Sequence, residues 1–201
     1  MHFRDSMLIL ASGSPQRDRL LREAGYHFRV VVPHPRAECG VCSRESPGEL
    51  TARLAYQKAA DVIEQVRNEP PGREAGDAIV ACDTICECLG QVLGKPINQD
   101  DARAMLRSLS GREHHVYSGL CVWPLPAGEP CVQVARTTLR MDSLDEAQIE
   151  EYLAHGQWEG KAGGFGYQDR IGWLRIVEGS ATNVIGLPME LLGEMLAKIR
   201  H

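Results

Sequence analysis

Apolar residues recur along this chain in two patterns, short continuous runs and repeats at helical spacing. Residues 7–11 form an apolar run that stops at a Ser-Gly-Ser-Pro turn, which predicts a buried strand. Leucine and alanine then recur at helical spacing as far as Gly25, which predicts a helix that Pro15 begins and Ser14 caps. A strand, a polar turn and a helix N-terminus in succession can receive a phosphate group.

The rest of the chain follows the same two patterns. Short apolar or alternating runs predict strands at residues 28–32, 78–87, 115–123, 131–139 and 173–177. Helical repeats predict helices at residues 49–65, 98–109, 145–154, which Ser143 would cap, and 187–199. Proline and glycine predict loops at residues 33–48 and 160–172, and a hairpin at Gly90. Strands mixed with helices in this order predict an α/β fold with one mixed β-sheet bent around a groove.

Length and composition are those of a folded globular protein. The 201 residues suit a single domain, residues 1–201, built as one α/β unit or as two small lobes that share a cleft. Hydrophobic residues make up 43% of the chain and charged residues 24%, which argues against a disordered or fibrous class. No apolar run is long enough to span a membrane, and residues 7–12 are too few for a signal-peptide core. We therefore expect a cytoplasmic protein without a membrane partner.

The formal net charge of −5 excludes the strong basic field that holds a polyanionic duplex, so we expect no nucleic-acid partner. Positive charge that binds a phosphate compound must then come from a few lysines and arginines in a cleft and from metal ions.

The seven cysteines are expected to be mostly reduced thiols, because the chain shows no export signal. Cys39 and Cys42 have the spacing of half a zinc site, whereas Cys86 and Cys88 have only one residue between them. Two interpretations stay open for these residues, a zinc site and free thiols in a loop and a strand.

The first candidate site is the turn from Ser12 to Arg17. Small hydroxyl residues and exposed amides between a strand and a helix can contact phosphate oxygens, and Arg17 offers a fork of donors. The alternative is a turn that is rich in serine and glycine only to make the bend and cap the helix.

The second candidate is Asp83, which lies inside an otherwise apolar strand. A carboxylate in a buried strand is costly unless it is paired or binds a metal, so its presence indicates a function. A metal ligand, a general base and a structural ion pair are the three roles that fit it.

Two further motifs carry positive charge in loops. Lys95 lies in a Gly-Lys-Pro turn, where a solvated surface charge is the plainer interpretation. Lys161 and Gln168 lie in the glycine-rich loop at residues 160–172, where the Gln168 amide can read a base edge. That loop lacks the strand and helix context of a P-loop, so a flexible glycine loop is the alternative.

Taken in order, these motifs resemble the Maf family of nucleotide pyrophosphatases over nearly the whole chain. The matching segments are residues 8–17 with 20–21, 53–59, 83–84, 93–96, 109–112 with 116–119, 160–163 with 166–168, and 179–180 with 183–188. The resemblance implies two lobes around a deep cleft, in a fold shared with the inosine-triphosphate pyrophosphatases. It also implies a nucleoside-triphosphate substrate cut between its α- and β-phosphates, a divalent cation (Mg²⁺, or alternatively Mn²⁺ or Co²⁺) and a homodimer.

The resemblance also assigns roles to single residues. Ser12, Ser14 and Arg17 would hold the phosphates. Lys58 and Lys95 would offset their negative charge. Asp83 would be the catalytic proton acceptor and a metal ligand, and Glu38 would stand at the family's second acidic position, also as a metal ligand. A carboxylate beside two lysines, an arginine and a divalent ion is a coherent set for hydrolysing a triphosphate.

Three positions separate two subgroups of the family that the chain resembles. The subgroup acting on dTTP and UTP tends to have arginine where Gln16 stands, threonine at the position of Thr84 and glutamine at the position of Gln168. The subgroup acting on 7-methyl-GTP tends to have tryptophan, glutamine and glutamate at these positions. The chain matches the first subgroup twice and the second not at all, so we expect dTTP or UTP as the substrate.

Two alternative functions remain open from the sequence. One is a pyrophosphatase for 7-methyl-GTP or a non-canonical purine triphosphate. The other is a catalytically silent nucleotide sensor that regulates division, although the presence of Asp83, Lys95 and Arg17 argues against lost catalysis.

Overall fold

Strands and helices alternate along the computed structural model, which describes residues 7–38, 45–67, 77–126, 128–169 and 172–199. The strands of this described part are β1 (Met7–Leu10), β2 (His27–Val30), β3 (Ala78–Cys88), β4 (Gln91–Leu93), β5 (Glu113–Pro124), β6 (Cys131–Met141) and β7 (Leu174–Glu178). Its α-helices are α1 (Pro15–Glu23), α2 (Pro47–Arg67), α3 (Gln99–Leu109), α4 (Glu146–Ala154), α5 (Ala181–Ile185) and α6 (Met189–Lys198). Short 3₁₀ turns lie at Pro35–Glu38, Ala162–Gly164 and Tyr167–Asp169.

Within the described residues the strands form one mixed sheet in the order β2-β1-β3-β5-β6-β7, with β4 paired to β3. Strand β1 runs parallel to both β2 and β3, and every other pair is antiparallel. Parallel strands need a crossover connection, which helices α1 and α2 supply here. The predicted mixed α/β sheet is confirmed.

The sheet is interrupted at one edge of β3. Strand β1 pairs with β3 only as far as Val80, and the Ala11 amide then donates to the Val80 carbonyl oxygen at 2.9 Å. Strand β4 takes up the same edge at Cys86. Between Val80 and Cys86 the described pairings leave this edge of β3 without a strand neighbour, so a cleft can enter the sheet there.

Separate hydrophobic clusters lie on either side of this interruption. Leu8, Leu10 and Val80 pack with helices α1 and α6 on one face, and Ile9, Ile79 and Ala81 pack with helix α2 on the other. Beyond the interruption, a cluster that includes Cys86 and Cys88 packs beneath helices α3 and α4. The predicted arrangement of two lobes around a cleft follows from these separate cores.

Helix α2 approaches the sheet most closely at Gly119 of β5. A β-carbon at this position would lie 2.1 Å from the Thr51 carbonyl oxygen, closer than any real contact. Gly119 is the direct cross-strand partner of Asp83 in β3. The missing side chain therefore lets α2 settle onto the sheet beside Asp83, which brings the later turns of the helix over the carboxylate.

Two details of the predicted elements are wrong. Asp145, not Ser143, caps helix α4, because its carboxylate and Gln148 form a reciprocal capping box. The stretch at residues 33–48 was expected to lack regular structure, but it contains the 3₁₀ turn Pro35–Glu38 and the start of α2.

The early start of α2 has a local cause in the sequence. The Ser46 and Glu49 side chains bond each other's backbone amides, at 3.3 Å from Glu49 N to Ser46 Oγ and 2.9 Å from Ser46 N to Glu49 Oε2. Ser46 and Glu49 therefore form a capping box, which the sequence analysis did not recognise. The short helix α5 had no such periodic signal and was not predicted.

Described cysteines lie in or beside the hydrophobic clusters as free thiols. Cys86 and Cys88 are buried, and burial raises the pKa of the Cys86 thiol, so it stays protonated. In the part of the chain that the structure describes, no three His, Cys, Asp or Glu side chains are grouped to hold a metal ion. Cys39 and Cys42 lie outside the described residues.

Replacing Gly119 by alanine should destabilise the fold. The added methyl group would collide with backbone atoms of Thr51. A backbone cannot move aside as a flexible side chain can, so helix α2 must shift away from the sheet. We expect the free energy of unfolding, measured by urea titration, to fall by about 2 kcal/mol or more.

Gly193→Ala is the matched control, because nothing lies within 4 Å of its added β-carbon in helix α6. Alanine is the better helix former, so this variant should gain up to about 1 kcal/mol. Equal stabilities for the two variants would contradict the close approach at Gly119.

Candidate active site

A cleft of about 730 Å³ opens where strand β1 ends and the edge of β3 is unpaired. The turn that follows β1 forms one wall, and the loop at residues 159–165 forms another. Residues 83–86 of β3 cross the cleft floor. Neighbouring residues of a strand point to opposite faces of the sheet, so the side chains of Asp83 and Thr84 reach this cleft from the two faces.

Every predicted site residue whose side chain is described lines this cleft: Ser12, Ser14, Gln16, Arg17, Lys58, Asp83, Thr84 and Lys95. Glu38 ends the 3₁₀ turn Pro35–Glu38, and Gln168 lies in the turn Tyr167–Asp169. The side chains of these two residues fall outside the described part, so their roles stay predictions.

An ion pair joins helix α2 to the cleft floor. Lys58 Nζ lies 2.6 Å from Asp83 Oδ1, and the Lys58 side chain is only 6% exposed. An ammonium group buried to this degree needs a charged partner, which Asp83 provides. The second carboxylate oxygen, Oδ2, has no hydrogen-bond partner among the described residues, which leaves it available to the cleft.

The turn after β1 is organised around the Ser12 hydroxyl. Its oxygen accepts hydrogen bonds from the Ser14 amide and from Arg17 Nη1, both at 3.1 Å. Because both lone pairs of the oxygen are engaged, the hydroxyl proton is left to donate to a ligand in the cleft. The Ser14 hydroxyl donates to Gln16 Oε1 at 3.0 Å, so Ser14 occupies the N-cap position of α1 without a side-chain cap.

Arg17 is held by acceptors that carry no charge. Its Nε donates to the Gly186 carbonyl oxygen at 2.8 Å, and its Nη2 donates to Thr84 Oγ1 at 3.3 Å. Thr84 in turn lies 2.8 Å from the hydroxyl of Ser118, its cross-strand partner in β5. A carbonyl and hydroxyls orient the guanidinium without neutralising it, so its full charge faces the cleft.

Sequence reasoning gave no role to Ser118 or Gly186. The segments that carry both were part of the family resemblance, but their contacts with Arg17 and Thr84 join residues far apart in the chain. Gly186 follows helix α5, which was not predicted. No local pattern could have identified this network.

The cations of the cleft fall into two groups. Lys58 pairs with Asp83, and Lys161 pairs with Asp169, so these lysines already have a counter-charge. Arg17 bonds only neutral groups, and Lys95 forms no hydrogen bond or ion pair with the described residues. Arg17 and Lys95 are therefore the positive charges best placed to attract an anion.

The far wall of the cleft is the glycine-rich loop, which is packed and not free. Phe165 lies edge-on against His114 of β5, with ring centroids 5.3 Å apart. The Gly163 amide donates to the Gly94 carbonyl oxygen at 2.9 Å, which ties the loop to the segment that carries Lys95. A planar group bound beside Phe165 would meet an aromatic surface.

The oxygen donors of the cleft suit a hard divalent cation. Mg²⁺ in nucleotide sites is typically held by one or two carboxylates together with the phosphates of the substrate. The described donors comprise Asp83 Oδ2, the Glu159 carboxylate and nearby hydroxyl oxygens, and they include no thiolate or imidazole. This donor set fits an ion that the protein and a bound triphosphate hold together.

Comparison with known proteins bears on this site. The family model described as Maf-like protein matches residues 7–199. A dTTP/UTP pyrophosphatase of Rhodopirellula baltica is 48% identical over 190 residues, which cover 94% of this chain and 80% of that protein. A dTTP/UTP pyrophosphatase of Dictyoglomus thermophilum is 37% identical over 195 residues, which cover 96% of each.

The fold also has a counterpart among solved structures. The Ham1 protein of Staphylococcus aureus superposes with a TM-score of 0.51 over 96% of this chain and 98% of that one. The two sequences are 11% identical, so the likeness concerns the fold alone.

Below neutral pH, His114 should reduce stability. Burial lowers the pKa of His114 from its ordinary 6.5 to about 4, and both ring nitrogens lack a partner in the described structure. Between these two values the unfolded chain binds a proton that the folded chain does not, so stability falls as the pH falls. The wild type should lose about 2 kcal/mol from this group between about pH 7.5 and pH 5.

Urea unfolding of the wild type and of His114→Leu at both pH values checks this expectation. For each protein, the free energy of unfolding at one pH is subtracted from that at the other, so the packing change that leucine introduces cancels. An identical pH dependence in both proteins would show that His114 titrates normally in the folded state.

Proposed function

Since the chain belongs to the Maf-like protein family, we propose that it is a nucleoside-triphosphate pyrophosphatase that hydrolyses dTTP and UTP. Water adds to a phosphorus atom of the bridge between the α- and β-phosphates, and the bridging bond breaks. The products are the nucleoside monophosphate and pyrophosphate. The dTTP/UTP pyrophosphatases of R. baltica and D. thermophilum, which match nearly the whole chain, support this substrate.

One observation carries the proposal. The Asp83 carboxylate has only one of its oxygens in an ion pair, and it lies near the Arg17 guanidinium, which has no carboxylate partner. Lys58 holds Oδ1 of Asp83 at 2.6 Å, which fixes the carboxylate and leaves Oδ2 to accept a proton from water. Arg17 bonds Thr84, the residue next to Asp83, so its charge lies close to the same point. A fixed base beside a preorganised positive charge is what attack on a phosphorus atom requires.

The remaining polar groups are assigned to the phosphates. The free proton of the Ser12 hydroxyl can donate to a phosphate oxygen, and Ser14 lies beside it at the start of helix α1. Lys95 and Arg17 offset the charge that builds up on the leaving pyrophosphate. Lys58 holds the Asp83 carboxylate in place, and it also lies at the cleft surface, where its charge can face the phosphates.

Asp83, with Glu38 as the second acidic residue, would hold the divalent cation, Mg²⁺ or alternatively Mn²⁺ or Co²⁺. Such an ion supplies charge neutralisation at the phosphate oxygens and orients the triphosphate. The homodimer and the cytoplasmic location expected from the sequence remain part of this proposal. None of the described helices has the length and hydropathy that crossing a bilayer requires.

Base selection is assigned to Gln168 in the glycine-rich loop and to Gln16 in the turn after β1. An amide at Gln168 can offer a donor and an acceptor to the edge of uracil or thymine, and Gln16 lies on the cleft wall. Thr84 was expected to select the base as well. Its hydroxyl bonds Arg17 and Ser118, and this geometry favours a role in positioning the arginine.

Thr84→Val tests that role. Valine has the shape of threonine but cannot accept from Arg17, so the guanidinium should lose its orientation. We expect kcat/KM to fall roughly tenfold for dTTP and UTP alike. Thr84→Ser is the control, because it keeps the hydroxyl and should stay close to the wild type. A changed preference between nucleotides, with no common loss, would instead show that Thr84 contacts the base.

Asp83→Asn tests the proposed reaction. The amide is nearly isosteric but can neither accept the proton nor act as an anionic ligand, so kcat should fall at least about 100-fold. Pyrophosphate release with Mg²⁺ is measured for dTTP, UTP, 7-methyl-GTP and inosine triphosphate. The variant leaves Lys58 without its counter-charge, so its fold is first checked by circular dichroism.

The matched control is Asp142→Asn, which makes the same change at an exposed ion pair with Arg175. It should retain wild-type turnover. Near-normal turnover in Asp83→Asn would refute the assignment of the base. A wild-type preference for 7-methyl-GTP or inosine triphosphate would refute the pyrimidine substrate, and no release from any nucleotide would favour a silent sensor.

A further inference from the structure

The glycine-rich loop is folded back on itself by an ion pair. Lys161 Nζ lies 2.6 Å from both carboxylate oxygens of Asp169, eight residues further along the chain. A β-carbon on Gly166 would lie 2.7 Å from Asp169 Oδ2 and from Lys161 Nζ. The two side chains therefore meet directly over the backbone of Gly166, in space that only glycine leaves open.

This ion pair is withdrawn from solvent. The Lys161 side chain is 16% exposed and the Asp169 side chain 8% exposed. The hydroxyl of Tyr152, a buried residue of helix α4, donates to Asp169 Oδ2 at 2.9 Å. Burial, together with the charge of Asp169, raises the pKa of Tyr152, so the hydroxyl stays protonated and always donates. Three side chains thus join both ends of the loop to α4.

The loop that these side chains fold carries one wall of the cleft. Phe165 faces the cleft and packs against His114, and the Gly163 amide holds the Gly94 carbonyl beside Lys95. A β-carbon on Gly163 would lie 3.2 Å from Cys86 of β3, whereas Arg17 Nη2 donates to Thr84 Oγ1 of β3 at 3.3 Å. The loop wall and the Arg17 wall therefore meet the floor at different points along β3.

We propose that Lys161, Asp169 and Tyr152 form a latch that fixes the loop at residues 160–169 as the nucleobase-binding wall of the cleft. In this latch Lys161 and Asp169 are positioning residues. They act through Phe165 and through the turn Tyr167–Asp169, and they touch neither the phosphates nor the reacting atoms. The inference rests on the proposed function, because it names the part of the nucleotide that this wall binds.

The alternative role for Lys161 is that of a phosphate ligand, since it lies at the cleft surface. Asp169 already neutralises the ammonium group with both of its oxygens, so a phosphate would have to displace a buried carboxylate. The two roles predict opposite effects at Asp169. Removing the carboxylate loosens a latch, but it would release the lysine to bind phosphate more tightly.

The experiment compares Lys161→Met, Asp169→Asn and the double variant with the wild type. Values of kcat and KM are measured with dTTP and UTP, and the inhibition constant is measured for inorganic tripolyphosphate, which has phosphates but no base. Tyr152→Phe removes one hydrogen bond of the latch. Asp142→Asn again serves as the control, as the same change in an exposed ion pair.

For a latch, KM should rise at least about tenfold in each single variant, while kcat stays within about threefold. The double variant should be no worse than the more severe single one, because the two residues act as a unit. The inhibition constant of tripolyphosphate should not change. Tyr152→Phe should raise KM by a smaller factor.

Weaker tripolyphosphate inhibition in Lys161→Met together with stronger inhibition in Asp169→Asn would overturn the latch and make Lys161 a phosphate ligand. Unchanged KM in both variants would also overturn it. Amide hydrogen exchange over residues 160–169 gives a readout that needs no turnover, with faster exchange expected in both variants. If the wild type hydrolyses no nucleotide, the proposed function fails, and normal exchange in the variants would separately refute the latch.

Discussion

The early end of strand β1 is the constraint on which the rest of this structure depends. Because β1 leaves the sheet after Leu10 and β4 joins only at Cys86, β3 presents an open edge between them. Neighbouring residues of a strand face opposite layers, so Asp83 meets Lys58 of helix α2 while Thr84 meets Arg17 of helix α1. At such an open edge, one ligand can reach both faces of the sheet.

Charge in the cleft is divided between fixed pairs and free cations. Lys58 and Lys161 are each neutralised by a carboxylate, and both pairs are largely withdrawn from water. Arg17 is oriented by a carbonyl and by hydroxyls, which leave its charge intact. A polyanionic substrate therefore meets a small local excess of positive charge in a chain whose net charge is −5. The paired groups give the cleft its shape, and the unpaired ones attract the ligand.

Two glycines shape the site because they have no side chain. Gly119 admits helix α2 to the sheet beside Asp83, and Gly166 leaves the space in which Lys161 and Asp169 meet. Each glycine lets other atoms lie closer to its backbone than a β-carbon would permit. Asp83, its buried lysine partner and the far wall of the cleft thus depend on positions that carry no chemistry of their own.

Local patterns in the sequence were sufficient for most of the elements and for the main candidate residues. The apolar run that ends at the Ser12 turn located one wall of the cleft. Asp83 located its floor, because a carboxylate inside an apolar strand departs from what stability alone requires. The ordered motifs identified the family. Only the tertiary structure decided that Thr84 bonds Arg17, that Lys58 pairs with Asp83 and that Tyr152 reaches Asp169. These contacts join residues 17 to 67 positions apart, and no local preference encodes which distant partner a buried polar group will find.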